Sequence, residues 1–171
     1  MAKFTAEKLY ELGDSFYYGF DFPQDQQLAA ELFLKAAELG HAPAQCQVAT
    51  MYELGEYFEE SRVEASKWYC KAAIQGDNSA MSSLKVCMEF DANDWRKEHM
   101  VEGSPEVVTI PIHALTPIDM YRIGTVYHHG FHSHKLDKDY AKAVFWWKNA
   151  SLGSFELAEL ILHLCENNSE L

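Results

Sequence analysis

The stretch Leu28–Gly40, LAAELFLKAAELG, returns almost letter for letter as Val63–Gly76, VEASKWYCKAAIQG. Lys35-Ala36-Ala37 and Lys71-Ala72-Ala73 lie 36 residues apart, as do Gly40 and Gly76. A looser copy spans Tyr140–Gly153, YAKAVFWWKNASLG. A fixed period in the thirties constrains the fold more than any composition does. Units that short cannot bury an apolar face alone, so they must stack on their neighbours.

A second signature keeps step with the first. It reads Leu12-Gly13-x-x-Phe16-x-x-Gly19, then Val48-Ala49-x-x-Tyr52-x-x-Gly55, then Ile123-Gly124-x-x-Tyr127-x-x-Gly130. Leu9, Leu12, Gly13 and Phe16 recur at three- and four-residue spacing, the mark of an amphipathic helix. Asp25 is placed to cap a second helix ending at Gly40, and His41-Ala42-Pro43 to open a third ending at Gly55. Ser61-Arg62-Val63-Glu64 reads as a capping box for a fourth helix running to Gly76. Asp77 caps a fifth, over about 78–90. Each period therefore predicts two helices of about a dozen residues.

These two signatures resemble those of the Sel-one-like repeat family, a branch of the tetratricopeptide-like helical solenoids. The resemblance covers Ala6–Gly76 and Met120–Gly153, and Ser79–Phe90 as half a repeat. It implies an all-α, right-handed superhelix of helical hairpins in one domain. The repeats fall at about 6–40, 42–76, 78–90 with an insertion at 91–116, and 117–153, and a capping helix follows at 154–166. It also implies a concave face that binds proteins or peptides, without catalysis.

The pattern fails after Phe90. Pro105, Pro111 and Pro117, with the β-prone run Val107–Ile112, argue against one regular helix through 91–116, although 93–101 can form a turn or two. Thr116-Pro117 opens the next helix. The last helix, Phe155–Cys165, covers the final apolar face or meets a second copy. The expected core comprises Leu12, Phe16, Leu32, Phe33, Ala36, Val48, Tyr52, Trp68, Ala72, Leu84, Ile123, Tyr127, Trp146 and Ile161.

Charge narrows the partners. Lys and Arg number 14 against 26 Asp and Glu, a net charge of −12. That disfavours nucleic acid and anionic membranes, and it suits a basic protein. No run approaches a membrane span, and the start lacks a leader's apolar core, so a cytoplasmic protein with reduced thiols is expected. Cys46 and Cys70 could pair geometrically, but two buried thiols fit that compartment better.

The chemistry-bearing motifs are thin. His128, His129, His132 and His134 offer imidazoles at a spacing poor for one closed metal site, so no metal or cofactor is expected, and a hydrolase built on them ranks last. Ser82-Ser83-Leu84-Lys85 matches a nucleophile motif of penicillin-binding enzymes, but its companion motifs are absent. No catalytic residue is assigned.

Recognition residues are sought instead between the packing positions of the first helices: Tyr17, Tyr18, Gln47, Met51 and Glu53, fringed by Asp14, Glu56, Glu59 and Glu60. Trp95, His128 and His129 are added where the repeat departs from pattern. The expected role is a protein-interaction module. Its specific form is an immunity or inhibitor protein for a basic toxin such as a nuclease, and its alternative an adaptor holding a peptide.

Overall fold

The computed structural model describes residues 4–99, 114–130 and 136–167. Among them are eight helices: α1 Ala6–Tyr18, α2 Gln26–Glu38, α3 Ala42–Leu54, α4 Arg62–Ile74, α5 Asn78–His99, α6 Pro117–His129, α7 Tyr140–Leu152 and α8 Glu156–Asn167. They form two compact units, residues 1–84 and 85–171. In the first, α1 pairs with α2, α3 with α4, and α2 packs on α3; in the second, α6 pairs with α7 and α7 with α8.

Each hairpin is closed the same way. The backbone N–H of Asp25, Ser61 and Asp139 donates to the carbonyl of Phe16, Tyr52 and Tyr127 respectively, each at 2.9 Å. The same three residues cap α2, α4 and α7, their side chains accepting from the N–H of Leu28, Glu64 and Lys142. One device thus ends the turn and starts the helix, satisfying donors that helix geometry leaves over. Ser61 caps alone, however. The expected reciprocal box is not closed, because the Glu64 carboxylate takes Lys67 Nζ at 2.7 Å instead. The reciprocal box lies at Thr116 and Asp119.

Aligning α2, α4 and α7 by these caps puts Phe33, Tyr69 and Trp147 at one position, and all three are buried. Ala29, Ala65 and Ala143 share another position, and Ala36, Ala72 and Ala150 a third, all fully buried. The small partners lie across the hairpin. A Cβ on Gly13 would meet the Phe33 ring at 2.7 Å, and one on Gly124 would meet the Trp147 ring at 2.6 Å. The bare backbone lets the ring approach the first helix directly.

This register corrects the sequence reading in the last hairpin by one residue. The left-handed residue after the second helix is Gly40 in the first hairpin and Gly76 in the second, but Ser154, at φ 62°, in the last. Gly153 is glycine for another reason: its Cβ would strike Pro117 Cγ at 2.5 Å. Trp147, not Trp146, is therefore the core tryptophan, and Tyr69 rather than Trp68 fills the matching place. Trp68 and Trp146 pack from the side, half-buried, as do Phe16, Tyr52 and Tyr127, and Leu12 is half-buried as well.

The fifth helix runs nine residues past Phe90, to His99. Where α1 and α3 end at Gly19 and Gly55, with φ 73° and 68°, the matching residue is Asp91. Without a glycine to turn left-handed the helix continues. The extension buries Ala92 and Trp95 against Ile123 and Val126. So 91–99 is ordered helix rather than insertion, and the Val107–Ile112 run lies outside the described residues. The capping helix α8 starts at Glu156, within two residues of the expected start, and buries Leu157, Ala158, Ile161 and Leu164.

Two glycine substitutions test the ring contact. Gly124→Ala should lose about 1–3 kcal/mol by overpacking. Gly40→Ala, where nothing lies within 4 Å of the added carbon but φ is 88°, should lose about 1 kcal/mol from backbone strain alone. Urea unfolding of both variants measures the difference, and equal midpoints would contradict the ring-on-backbone account.

Candidate interaction surfaces

In the first unit the loops after α1 and α3 carry an aromatic platform each. Phe16 stacks on Phe22 at 4.8 Å between ring centres, and Tyr52 stacks on Phe58 at 4.4 Å, six residues apart both times. Fixing both rings on one hairpin exposes their neighbours. Tyr18 and Phe20 stack at 5.3 Å and are 59% and 77% exposed. Tyr57 is 48% exposed and sits at φ 70°, a left-handed conformation that costs a tyrosine about 1–2 kcal/mol. Strain of that kind is kept where a side chain must point a particular way.

Carboxylates edge the platforms. Tyr52, Phe58, Glu59, Glu60, Ser61 and Glu64 line a cavity of about 460 Å³. Tyr17 is half-buried beside Glu56, and burial together with that carboxylate raises its hydroxyl pKa. Burial, then Asp14, does the same for Tyr10, while Asp14 itself is raised by burial against the pull of His41. By repeat register Pro23, Gln24 and Leu28 stand where Glu59, Glu60 and Glu64 stand. The platform repeats; its acidic edge belongs to the second hairpin.

The expected recognition residues divide accordingly. Tyr18 is exposed, and Tyr17 and Gln47 are half-buried. Glu53 is tied to the scaffold: Tyr69 Oη donates to its Oε2 at 2.9 Å, and Thr50 Oγ1 lies 3.1 Å from the same hydroxyl. Met51 is only 2% exposed and belongs to the core, because its position turns toward Phe33 and Val48. Trp95 packs on the body, so it presents no surface. Phe20, Phe22 and Tyr57 were not anticipated as surface. The repeated six-residue aromatic spacing signals Phe22, and no comparable pattern marks Phe20 or Tyr57.

In the second unit His128 is buried, its ring 5.5 Å from Trp147 and 5.4 Å from Tyr140. His129 is half-buried, with Nδ1 3.1 Å from the Thr125 carbonyl. Burial lowers the His129 pKa, against the Thr125 carbonyl and Glu89, with Lys138 adding to the fall. Both imidazoles line a cavity of about 260 Å³ with Lys85, Val86, Glu89, Lys138 and Tyr140. His132 and His134 lie outside the described residues. Among those described, no three His, Cys, Asp or Glu converge on a metal position.

The remaining motifs are structural. Ser82 Oγ donates to the Asn78 carbonyl within α5, and Leu84 is core. Cys46 and Cys70 are separate thiols. Burial and then Asp77, 3.7 Å away, push the Cys46 thiol up to about 11, which keeps it protonated and inert. Among the described residues no helix is long and apolar enough to cross a membrane.

The Sel1 repeat pattern matches residues 9–41, 42–77 and 117–154, well over half of the chain. The chain belongs to the Sel1 repeat family. Proteins of this family are protein-interaction modules, generally non-catalytic scaffolds. Among curated proteins, 161 residues are 27% identical to a chitin synthase regulator, SKT5, of Saccharomyces cerevisiae, over 86% of this chain and 21% of that protein. Over 51 residues the chain is also 37% identical to the uncharacterized protein NMB1327 of Neisseria meningitidis, a match that covers 30% of this chain and 11% of that one. The chain thus spans about a fifth or less of the length of these relatives. Two solved structures are similar, each with a TM-score of 0.49 and 22% identity. One is c5321, a protective antigen of uropathogenic Escherichia coli with an SLR fold, over 86% of this chain and 30% of that one. The other is a Sel1 repeat protein from Oxalobacter formigenes, over 92% and 62%.

The lowered His129 pKa carries a sign. A histidine harder to protonate when folded contributes stability above its unfolded value, near 6.5, that is lost as pH falls through the folded value. Stability should therefore drop below about pH 6.5, and His129→Gln should flatten that slope. Chemical denaturation at several pH values measures it. An unchanged slope in the variant would contradict the assignment.

Proposed function

We propose that this chain works by binding a basic, folded protein through the acidic, aromatic edge of its first unit. The observation that carries the reading is the pair of loops at 19–24 and 55–60. With the end of α1 they expose Tyr18, Phe20 and Tyr57, and the second of them also exposes Glu56, Glu59 and Glu60. Aromatic side chains supply large contact area at low entropic cost. The carboxylates speed encounter with a cationic partner and favour it over acidic competitors. The specific form is an inhibitor that covers the active site of a basic toxin, such as a nuclease. A relative described as an enzyme's regulator supports a chain that acts on another protein. An adaptor role, with a short peptide held instead, is the second reading. It draws on the cavity of about 460 Å³ beside the Tyr52–Phe58 stack, which is within the size of a side-chain or small-ligand pocket.

Capture from native lysate, followed by identification of the bound protein, tests this. The expected partner is folded and basic, and the triple change Glu56→Lys, Glu59→Lys, Glu60→Lys should weaken its binding at least about tenfold at 0.15 M salt. If the partner is a nuclease, adding the chain should suppress its cleavage of DNA or RNA. An acidic partner, or capture indifferent to the charge reversal, would overturn the reading, and an unfolded peptide would favour the adaptor.

Tyr57→Gly separates recognition from stability. Relief of the left-handed strain offsets glycine's entropy, so unfolding should shift by less than about 1 kcal/mol. Partner affinity should still fall severalfold. Unchanged affinity would remove Tyr57 from the interface.

A further inference from the structure

The cavity at the start of α4 is built on an aromatic stack and finished with charge. Tyr52, Phe58, Glu59, Glu60, Ser61 and Glu64 line a space of about 460 Å³. The stack alone is a packing device. Phe16 and Phe22 repeat it in the first hairpin, where Pro23, Gln24 and Leu28 stand in place of the three carboxylates. The carboxylates are an addition to the second hairpin, and they differ in what they can still bind. Glu64 is committed, its Oε1 lying 2.7 Å from Lys67 Nζ. Ser61 Oγ accepts from the Glu64 N–H at 3.3 Å and so serves the cap. The Glu59 and Glu60 carboxylates are exposed and have no partner among the described residues.

We propose that this cavity receives an arginine side chain of the protein partner. The proposal rests on the reading of this edge as the surface that meets a basic, folded protein, and it names the residue the edge would hold. Charge decides the class of occupant. The start of α4 contributes about half a positive charge, which by itself would favour an anion. The Glu64–Lys67 pair is neutral. Two unpaired carboxylates outweigh the helix end roughly fourfold, so the cavity stays negative and selects a cation. Shape then selects among cations. Tyr52 and Phe58 offer an apolar wall to a long aliphatic stem, whose methylenes leave water while the charged head stays wet. The head must meet two separate carboxylates. A guanidinium presents five N–H donors in a flat fork, is weakly hydrated and packs well against rings. An ammonium is a compact, strongly hydrated point charge and suits the pair of acids less well. The volume lies within the range of about 300–1,000 Å³ of ligand sites, enough for a long side chain and the backbone that carries it.

The free chain tests this without a partner in hand, so the cavity and the wider reading can fail separately. The full chain is titrated with N-acetyl-arginine amide at about 0.15 M salt while the ring resonances of Tyr52 and Phe58 are followed by NMR. Saturable shifts are expected at those rings. N-acetyl-citrulline amide, the same shape with a neutral urea head, should bind at least about fivefold more weakly, which is what two exposed ion pairs supply. N-acetyl-lysine amide should fall between the two. Glu59→Gln combined with Glu60→Gln, both at exposed positions, should leave the arginine compound no better bound than the citrulline one. Equal binding of the citrulline compound, shifts that do not saturate, or binding unchanged in the double variant would overturn the proposal. A lysine compound bound as tightly as the arginine one would overturn the choice of guanidinium. Failure of the titration with a basic partner still captured would remove the cavity and keep the edge. A successful titration with an acidic partner captured would overturn the wider reading and leave the cavity's preference standing.

Discussion

The fold depends on a ring lying directly against a bare stretch of helix. In the first hairpin that ring is Phe33 on Gly13, and in the last it is Trp147 on Gly124. The same position holds Tyr69 in the second hairpin, with Ala49 as the small residue across from it by register, and both are buried. Close approach lets the paired alanines of the second helices, such as Ala29 and Ala36, reach full burial. Dispersion summed over such contacts, rather than any polar network, holds units this small together.

Once the hairpins are set by packing, the turns are free to differ. All three obey one hydrogen bond, from the cap residue to the aromatic carbonyl before it. Around that bond the first two place a second aromatic on the first, Phe22 on Phe16 and Phe58 on Tyr52. The third has a longer loop and uses a cation: Lys142 Nζ lies 5.1 Å from the Tyr127 ring centre and pairs with Asp139 at 3.2 Å. The division of labour follows. Buried faces repeat, while turn residues vary in charge and exposure, and binding surfaces are drawn from what varies.

Much of this was legible in the sequence. The 36-residue step located α1 to α4, and the glycines at 19 and 55 marked their ends. Boundaries failed where one residue type served two purposes. Gly153 reads as the left-handed residue beyond the helix, yet it is glycine to clear Pro117, and the left-handed residue is Ser154. That single shift moved the core tryptophan from 146 to 147. The continuation of α5 is written in the sequence as an absence, Asp91 where a glycine is due. Recognition residues were harder to read, because spacing alone cannot say which side of a first helix turns inward. Met51 and Trp95 looked like anchors and are core. Phe20 and Tyr57, not singled out by the sequence, are exposed rings.

The central claim is that repeated positions build the body while the turns of the first unit meet the partner. Hydrogen–deuterium exchange of the chain, alone and with its captured partner, tests it most directly. The account predicts new protection concentrated at 19–24 and 55–60, with α2 and α4 already protected in the free chain and unchanged on binding. Protection that appears along α2 and α4, with those two turns still exchanging freely, would contradict it.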